Sequence, residues 1–317
     1  MSTFRVRLTA LLGTAGLRCR MTDEERAKIR EAVDAACEGL VSYSDEGAGP
    51  LWHYCGADGC EGIIVNDEIW ATHYGYTNDT EELERGERLL VDVLQGLEAR
   101  ETDPVKKGLY KSVAHSLPGQ QLTDMSDVYL ACFTEADDAN ELTQWSGYGH
   151  KGTGYALQLG IQGPVERDGA ALAGMLVKVI YSDDAFKAAA ETALARHADA
   201  CAAIGPDAAE RGFVWMMRQC AALSPRLKHP CFAHEKEWRL IAAPLGDDRT
   251  AEVFFRKRGN NFVPFVKLAL GKVVRRVVVG PAHAGEAQGR LFAVKLLLER
   301  NGYRSRLAET SEIPFRA

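Results

Sequence analysis

Three short polar segments of this chain could do chemistry together. They are Leu51-Trp52-His53-Tyr54, Gly147-Tyr148-Gly149-His150-Lys151-Gly152-Thr153-Gly154-Tyr155, and His234-Glu235-Lys236-Glu237-Trp238-Arg239. Each sits at the start or end of a predicted strand. A histidine, a glycine-flanked tyrosine and a glutamate, in that order, are the parts needed to grip a nicotinamide dinucleotide and cleave its glycosidic bond. His53 would donate to ribose hydroxyls, because its two ring nitrogens can bridge ligand and backbone. Tyr155 would stack on a flat cationic ring. Glu235 and Glu237 alternate in a predicted strand and so share a face. Two carboxylates there repel unless one is paired or at the rim, and Arg239, next on that face, is the candidate partner of Glu237. One carboxylate would take the ribose 2′-hydroxyl and the other would orient an acceptor.

Each segment also has a plainer reading. His53 lies between Trp52 and Tyr54 and could be a structural histidine, Tyr155 a core aromatic, and Glu237–Arg239 a salt bridge. The run Gly147–Gly152 spells G-x-G-x-x-G, but that fingerprint needs a strand before it and a helix after it. Here the glycines lead into Tyr155-Ala156-Leu157-Gln158-Leu159, a predicted strand. A Rossmann site is therefore rejected. The glycines Gly152 and Gly154 instead offer close approach of a flat ligand to backbone. Trp70, Trp145, Trp215 and Trp238 are core residues by default. Trp145, two residues before the glycine loop, could also wall a pocket. Cys55 and Cys60 near His53 lack a second pair at finger-like spacing, so no metal is expected. The chain has no P-loop, H-E-x-x-H, G-x-S-x-G or aspartate-rich calcium loop. Two rivals stay open. One is a non-catalytic module that binds a nucleotide or partner. The other is a metal-dependent phosphodiester hydrolase built on His234, Glu235 and Glu237, disfavoured by Lys236 between the carboxylates.

The elements that must position these residues follow from periodicity. With 317 residues, 46% hydrophobic and 26% charged, the composition is ordinary for a globular protein. The net charge of −6 gives no global pull toward nucleic acid or membrane. The 8 cysteines read mostly as small buried hydrophobes of a reducing compartment. No apolar run approaches the roughly 20 residues that span a bilayer, so a cytoplasmic protein is expected. Residues 1–20 are expected to be a loosely ordered arm, and 21–317 one domain. Helices are predicted from Thr22 to Leu40, over Asp58–Asn66, over Thr80–Arg100, over 183–223 with a break at Gly205-Pro206, and over Ala284–Arg300. Tyr76-Thr77-Asn78-Asp79 reads as a turn and cap. Strands are predicted at 51–54, 69–72, 127–133, 155–159, 175–181, 238–243, 253–255, 262–268 and 274–279. Short strands mixed with helices, without strict alternation, point to an α+β fold of mostly antiparallel sheet with flanking helices and a helical insertion at about 183–225.

The chain resembles the bacterial family called domain of unknown function 2971. The matching pieces are Leu51–Tyr54, Ile69–Thr72 with Tyr76–Asp79, Cys132-Phe133-Thr134-Glu135, Gln144–Gly149, Glu235–Arg239, Val279-Gly280-Pro281 and Ser311–Arg316. That family name assigns no reaction. A more distant similarity does. Leu51-Trp52-His53 with Glu61–Ile64 and Ile69-Trp70-Ala71 is similar to the first motif of the ADP-ribosyltransferase superfamily. Gly152-Thr153-Gly154-Tyr155-Ala156 is similar to its second, and Glu235-Lys236-Glu237 to its third. The resemblance implies a split sheet and NAD as substrate. It also implies that His53 meets a ribose, Tyr155 packs on nicotinamide, and Glu237 and Glu235 supply the catalytic carboxylates. His53, Tyr54, Trp70, Trp145, Tyr148, Gly152, Gly154 and Arg239 would then line the dinucleotide site. The acceptor, a protein or a nucleic acid, stays open.

Overall fold

A computed structural model describes residues 22–41, 45, 47–77, 80–117, 128–161, 165–166, 172–244, 253–281 and 284–313. The predicted N-terminal arm, the Asn78-Asp79 cap and the last four residues lie outside them. In chain order the elements are α1 (Asp23–Val41), β1 (Leu51–Cys55), α2 (Ala57–Val65), β2 (Glu68–His73), α3 (Thr80–Arg100), α4 (Pro104–Ser116), β3 (Tyr129–Glu135), α5 (Leu142–Gly147), β4 (Tyr155–Leu159), β5 (Val165–Glu166), β6 (Leu172–Lys178), α6 (Asp183–Ile204), α7 (Ala209–Leu223), β7 (Glu237–Pro244), β8 (Phe254–Arg258), β9 (Asn261–Ala269), β10 (Val274–Val279), α8 (Ala284–Arg300) and β11 (Ala308–Thr310).

Local chemistry sets most of these boundaries. Thr22 and Glu25 close a capping box on α1: the Glu25 amide donates to the Thr22 hydroxyl at 3.2 Å and the Thr22 amide to the Glu25 carboxylate at 2.8 Å. Asp103 accepts from the Val105 and Lys106 amides, and Pro104 follows at the first helical position. That pair starts α4, a helix that periodicity does not flag. Gly205, at φ 115°, ends α6, and Pro206 opens a short 3-10 turn before α7.

The strands form one open, largely antiparallel sheet that forks at β3. Along one edge β3 pairs with β7 from Tyr129↔Ala242 to Thr134↔Glu237. Thr134 and Leu130 each carry a second partner, so the others lie on the opposite edge. There β1 takes the C-terminal end (Leu51↔Glu135, Trp52↔Thr134) and β2 the N-terminal end (Thr72↔Leu130, His73↔Tyr129). One arm then runs β1-β4-β10-β11 and the other β2-β9-β8, while β7 continues to β6 and β5. The β10–β11 pair is parallel.

Pleat alternation assigns the two faces. Leu130 and Ile241 join a core with α1, α3, α4, α6 and α7. The helices of 183–223 thus share one core with the N-terminal helices. Tyr129, Ala131, Phe133, Trp238 and Leu240 pack on the other face with Ile63 and Ile64 of α2 and Val294 and Leu298 of α8. A small third cluster, Trp52, Tyr54, Ala139, Trp145, Ala156 and Val278, covers the β1-β4-β10 arm on the first face.

Strand bounds shift modestly from expectation. The predicted 175–181 strand is Leu172–Lys178, and the two-residue β5, the short helix α5 and β11 carry no periodic signal. Backbone packing tests the arm β4–β10. A Cβ on Gly280 would run into the Gly152 carbonyl oxygen, whereas one on Gly289 in α8 meets nothing within 4 Å. Gly280→Ala should destabilise by about 1–3 kcal/mol through forced backbone movement. Gly289→Ala should stabilise by up to ~1 kcal/mol through helix propensity. Paired urea melts of the two variants measure both signs.

Candidate functional site

Between the helical core and the Trp52–Trp145 cluster, the first face of the sheet carries a buried charged network. Glu237 opens β7, with 4% of its surface exposed, and Arg239 follows two residues on at 4%. The Arg239 Nε donates to Glu237 Oε1 at 2.8 Å and its Nη2 to Oε2 at 3.2 Å. Lys228 Nζ then bridges Glu237 Oε2 at 2.7 Å and Glu235 Oε2 at 2.6 Å. Arg239 also donates to the Pro225 carbonyl, and the Tyr181 hydroxyl accepts from the Glu237 amide at 2.8 Å.

The backbone explains why Lys228 arrives there. Ile180 N–H donates to the Arg226 carbonyl and Lys228 N–H to the Ile180 carbonyl, at 2.6 and 3.0 Å. This short ladder holds residues 226–228 against the end of β6 and aims Lys228 inward. Glu235 does not lie on a strand, contrary to the alternating Glu-x-Glu reading. It ends a 3-10 turn over Pro230–Glu235, and Lys236 in the left-handed region (φ 45°) turns the chain into β7. The two carboxylates converge because that turn brings both to one ammonium. The predicted Glu237–Arg239 pair is present.

Electrostatics follow from the partners. Burial works against ionising Glu237, but the Arg239 guanidinium and then the Lys228 ammonium outweigh it and hold the carboxyl down to about 2. Burial likewise works against a charged Lys228, yet Glu237 and Glu235 raise its pKa. The Tyr148 side chain, 41% exposed, lies within electrostatic reach of this network. Desolvation first, and the Glu235 carboxylate next, push its hydroxyl up to about 12. Cys132 pairs with Arg239 across β3–β7. It presents surface to solvent, but the protein around it, and then the nearby Glu237 charge, push the thiol pKa up. Both stay protonated at neutral pH.

The fork positions His53. Because β1 and β2 hold only the ends of β3, the central carbonyl of Cys132 has no strand partner on that edge. His53 Nδ1 fills the gap, 2.9 Å from the Cys132 oxygen. A carbonyl only accepts, so Nδ1 carries the proton and Nε2 presents a lone pair. Desolvation lowers the His53 pKa, partly offset by this hydrogen bond, and the Arg256 guanidinium lowers it further. Arg256 itself donates to Thr72 Oγ1 at 2.7 Å on the other arm.

The remaining predicted residues are dispersed. Tyr155 pairs with Cys55 and belongs to the opposite face from Glu237, with the Arg290 guanidinium 4.9 Å from its ring centre. His53, Tyr155 and Glu237 are therefore not brought together by one surface. Tyr54 and Trp145 meet edge-on at 5.0 Å in the buried third cluster, and Trp70 stacks on Phe265 at 4.7 Å. Gly154 lies against backbone: a Cβ there would strike the Cys55 carbonyl oxygen. Gly152 (φ 84°) closes a left-handed turn begun by His150 and Lys151. Lys228, Cys132, Tyr181 and Arg256 are members that sequence reasoning missed. Only Lys228 had a visible cue, a cation shortly before an acidic pair.

The molecule is thus a mixed α and β protein with a forked, largely antiparallel open sheet and a buried cation–carboxylate network beside the fork. Residues 144–240 match the model of the family described as Protein of unknown function (DUF2971), which supports the first resemblance drawn from sequence. The match covers most of α5, then β4, β5, β6, α6, α7 and the first half of β7, and so includes Tyr148, Lys228, Glu235, Glu237 and Arg239. No curated protein and no solved structure matches the chain. Among the described residues, no helix is long and apolar enough to cross a membrane.

Two outcomes follow. The depressed Glu237 pKa means its contribution to stability is full above the ordinary carboxyl value of 4.5 and is lost as pH falls toward about 2. The stability difference between wild type and Glu237→Gln, followed by urea melts from pH 6 to pH 2, should shrink across that window. His53 should titrate below its ordinary 6.5 as the Nδ1–H tautomer. Nitrogen-15 imidazole shifts report both, and a midpoint at or above 6.5 would contradict the burial argument.

Proposed function

We propose that the fork holds a nicotinamide dinucleotide and that the Glu237 carboxylate assists cleavage of its glycosidic bond. The observation that carries this reading is one buried carboxylate, paired to Arg239 and Lys228, on a sheet face where Cys132 is open to solvent. In the reaction the C1′–N bond breaks, its electron pair leaves with neutral nicotinamide, and positive charge grows on the sugar. A fixed negative charge beside the 2′-hydroxyl strengthens its hydrogen bond as that charge grows. Glu235, held by Lys228 at the rim, would orient an acceptor. Tyr148, rather than Tyr155, is the exposed aromatic suited to the nicotinamide ring. The neutral His53 offers Nε2 to a ribose hydroxyl, and Arg256 offers charge to the pyrophosphate. The distant ADP-ribosyltransferase similarity and the forked sheet support the same reading.

A second reading rests on a different observation. Both oxygens of Glu237 already accept from Arg239 and Lys228, which favours a non-catalytic nucleotide-binding module. A divalent-ion hydrolase is less favoured, because Lys228 stands between the two carboxylates where the ion would go.

Nicotinamide release from NAD⁺ separates these readings. Glu237→Gln should lower release by about 10²–10³-fold, and Tyr148→Ala should raise KM with folding intact. Circular dichroism must accompany Glu237→Gln, since breaking a buried pair costs about 3–5 kcal/mol. Saturable NAD⁺ binding without release would establish the binding module. Neither binding nor release in the folded wild type would end the dinucleotide proposal.

A further inference from the structure

The helical core holds three groups that the proposed reaction does not use. Cys37 on α1 and His197 and Cys201 on α6 are each 0% exposed. The two sulfurs are 4.0 Å apart, and the sulfurs and an imidazole nitrogen all lie within 4.8 Å of one another. His197 and Cys201 stand one turn apart and share a helix face. The decisive observation is His197. Both its ring nitrogens are buried without a hydrogen-bond partner, in a core of leucine, valine and phenylalanine side chains. A buried polar group left in that state is destabilising. Gly212 lets α7 pack closely on Cys201: a Cβ there would come within 2.6 Å of Cys201 Sγ. Asp34, one turn before Cys37, is not part of the set: Arg211 and Trp215 both donate to it.

We propose that Cys37, His197 and Cys201 bind a zinc-class divalent ion that staples α1 to α6. Two thiolates, one neutral imidazole and a doubly charged cation sum to zero, the charge an apolar core tolerates. Thiolate and imidazole donors select zinc over calcium or magnesium. Zn–S bonds of about 2.3 Å across the observed 4.0 Å sulfur separation subtend about 120°. Three protein donors leave one coordination position open. Both thiol protons go to solvent on binding. A disulfide would require the sulfurs to close to about 2.05 Å and would leave His197 without a partner. The inference departs from the metal-free expectation drawn from sequence. It is independent of the dinucleotide reading, because the cluster lies in the helical core and the proposed reaction uses none of its members.

The test is metal analysis of the full-length protein, purified under reducing conditions and dialysed with and without added zinc. About one zinc per chain is expected, with an X-ray absorption spectrum showing two sulfur neighbours and one nitrogen. Cys37→Ser and Cys201→Ser should each lose the ion, and Cys60→Ser, a buried thiol elsewhere, should keep it. The spectrum of the wild type decides even if the variants fail to fold. A folded wild type that takes up no zinc would overturn the proposal. So would zinc with no sulfur neighbours, zinc retained by the folded cysteine variants, or a mass showing Cys37 and Cys201 oxidised to a disulfide.

Discussion

The contact on which the site depends is the ammonium of Lys228 between Glu235 and Glu237. Two carboxylates brought together in a dry place would drive one of them to take up a proton. Lys228 removes that pressure, and Arg239 supplies the second cation, so Glu237 stays charged with only 4% of its surface exposed. Buried ion pairs are poor sources of net stability, because desolvation consumes most of the attraction. The network therefore needs rigid support, and the backbone provides it from three sides. These are the β3–β7 ladder under Arg239, the Ile180 contacts to Arg226 and Lys228, and the left-handed turn at Lys236. Arg226, paired to Asp45 at 2.6 Å, anchors the middle of these.

The fork is the second constraint. A strand edge with both ends paired and its middle empty exposes backbone that must find a partner. At Cys132 the partner is an imidazole, which fills the gap between the two arms of the sheet and fixes the tautomer of His53. Cys132 joins the two features: its carbonyl holds His53, and it pairs with Arg239 on the charged face.

Elements with strong local signals were legible in the sequence. The capping box at Thr22, the leucine spacing of α3, the break at Gly205-Pro206 and the short apolar strands are all local rules that the tertiary structure obeys. What was not legible depends on the third dimension. Glu235 and Glu237 read as neighbours on a strand because residue alternation is the default, and only the φ of Lys236 shows the turn. Tyr155 follows the glycine loop in sequence, but its register with Cys55 puts it on the far face. Tyr148 lies inside the glycine-rich run with nothing in its local sequence to set it above Tyr155. It gains its place only because α5 ends beside the charged network. The Cys37–His197–Cys201 cluster was invisible for a related reason, since 164 residues separate its two sulfurs.

A carboxylate offers about four lone-pair sites, and among the described residues three N–H donors reach Glu237: Lys228, and Nε and Nη2 of Arg239. On the proposed reaction, a ribose hydroxyl takes a remaining site. The three donors are buried and charge-assisted, which makes them strong. Cys132, on the same face of the sheet, opens to solvent. A ligand hydroxyl arriving past Cys132 would add a hydrogen bond without unpairing either cation. A paired carboxylate and a reactive one are therefore compatible, provided that the ligand enters over Cys132.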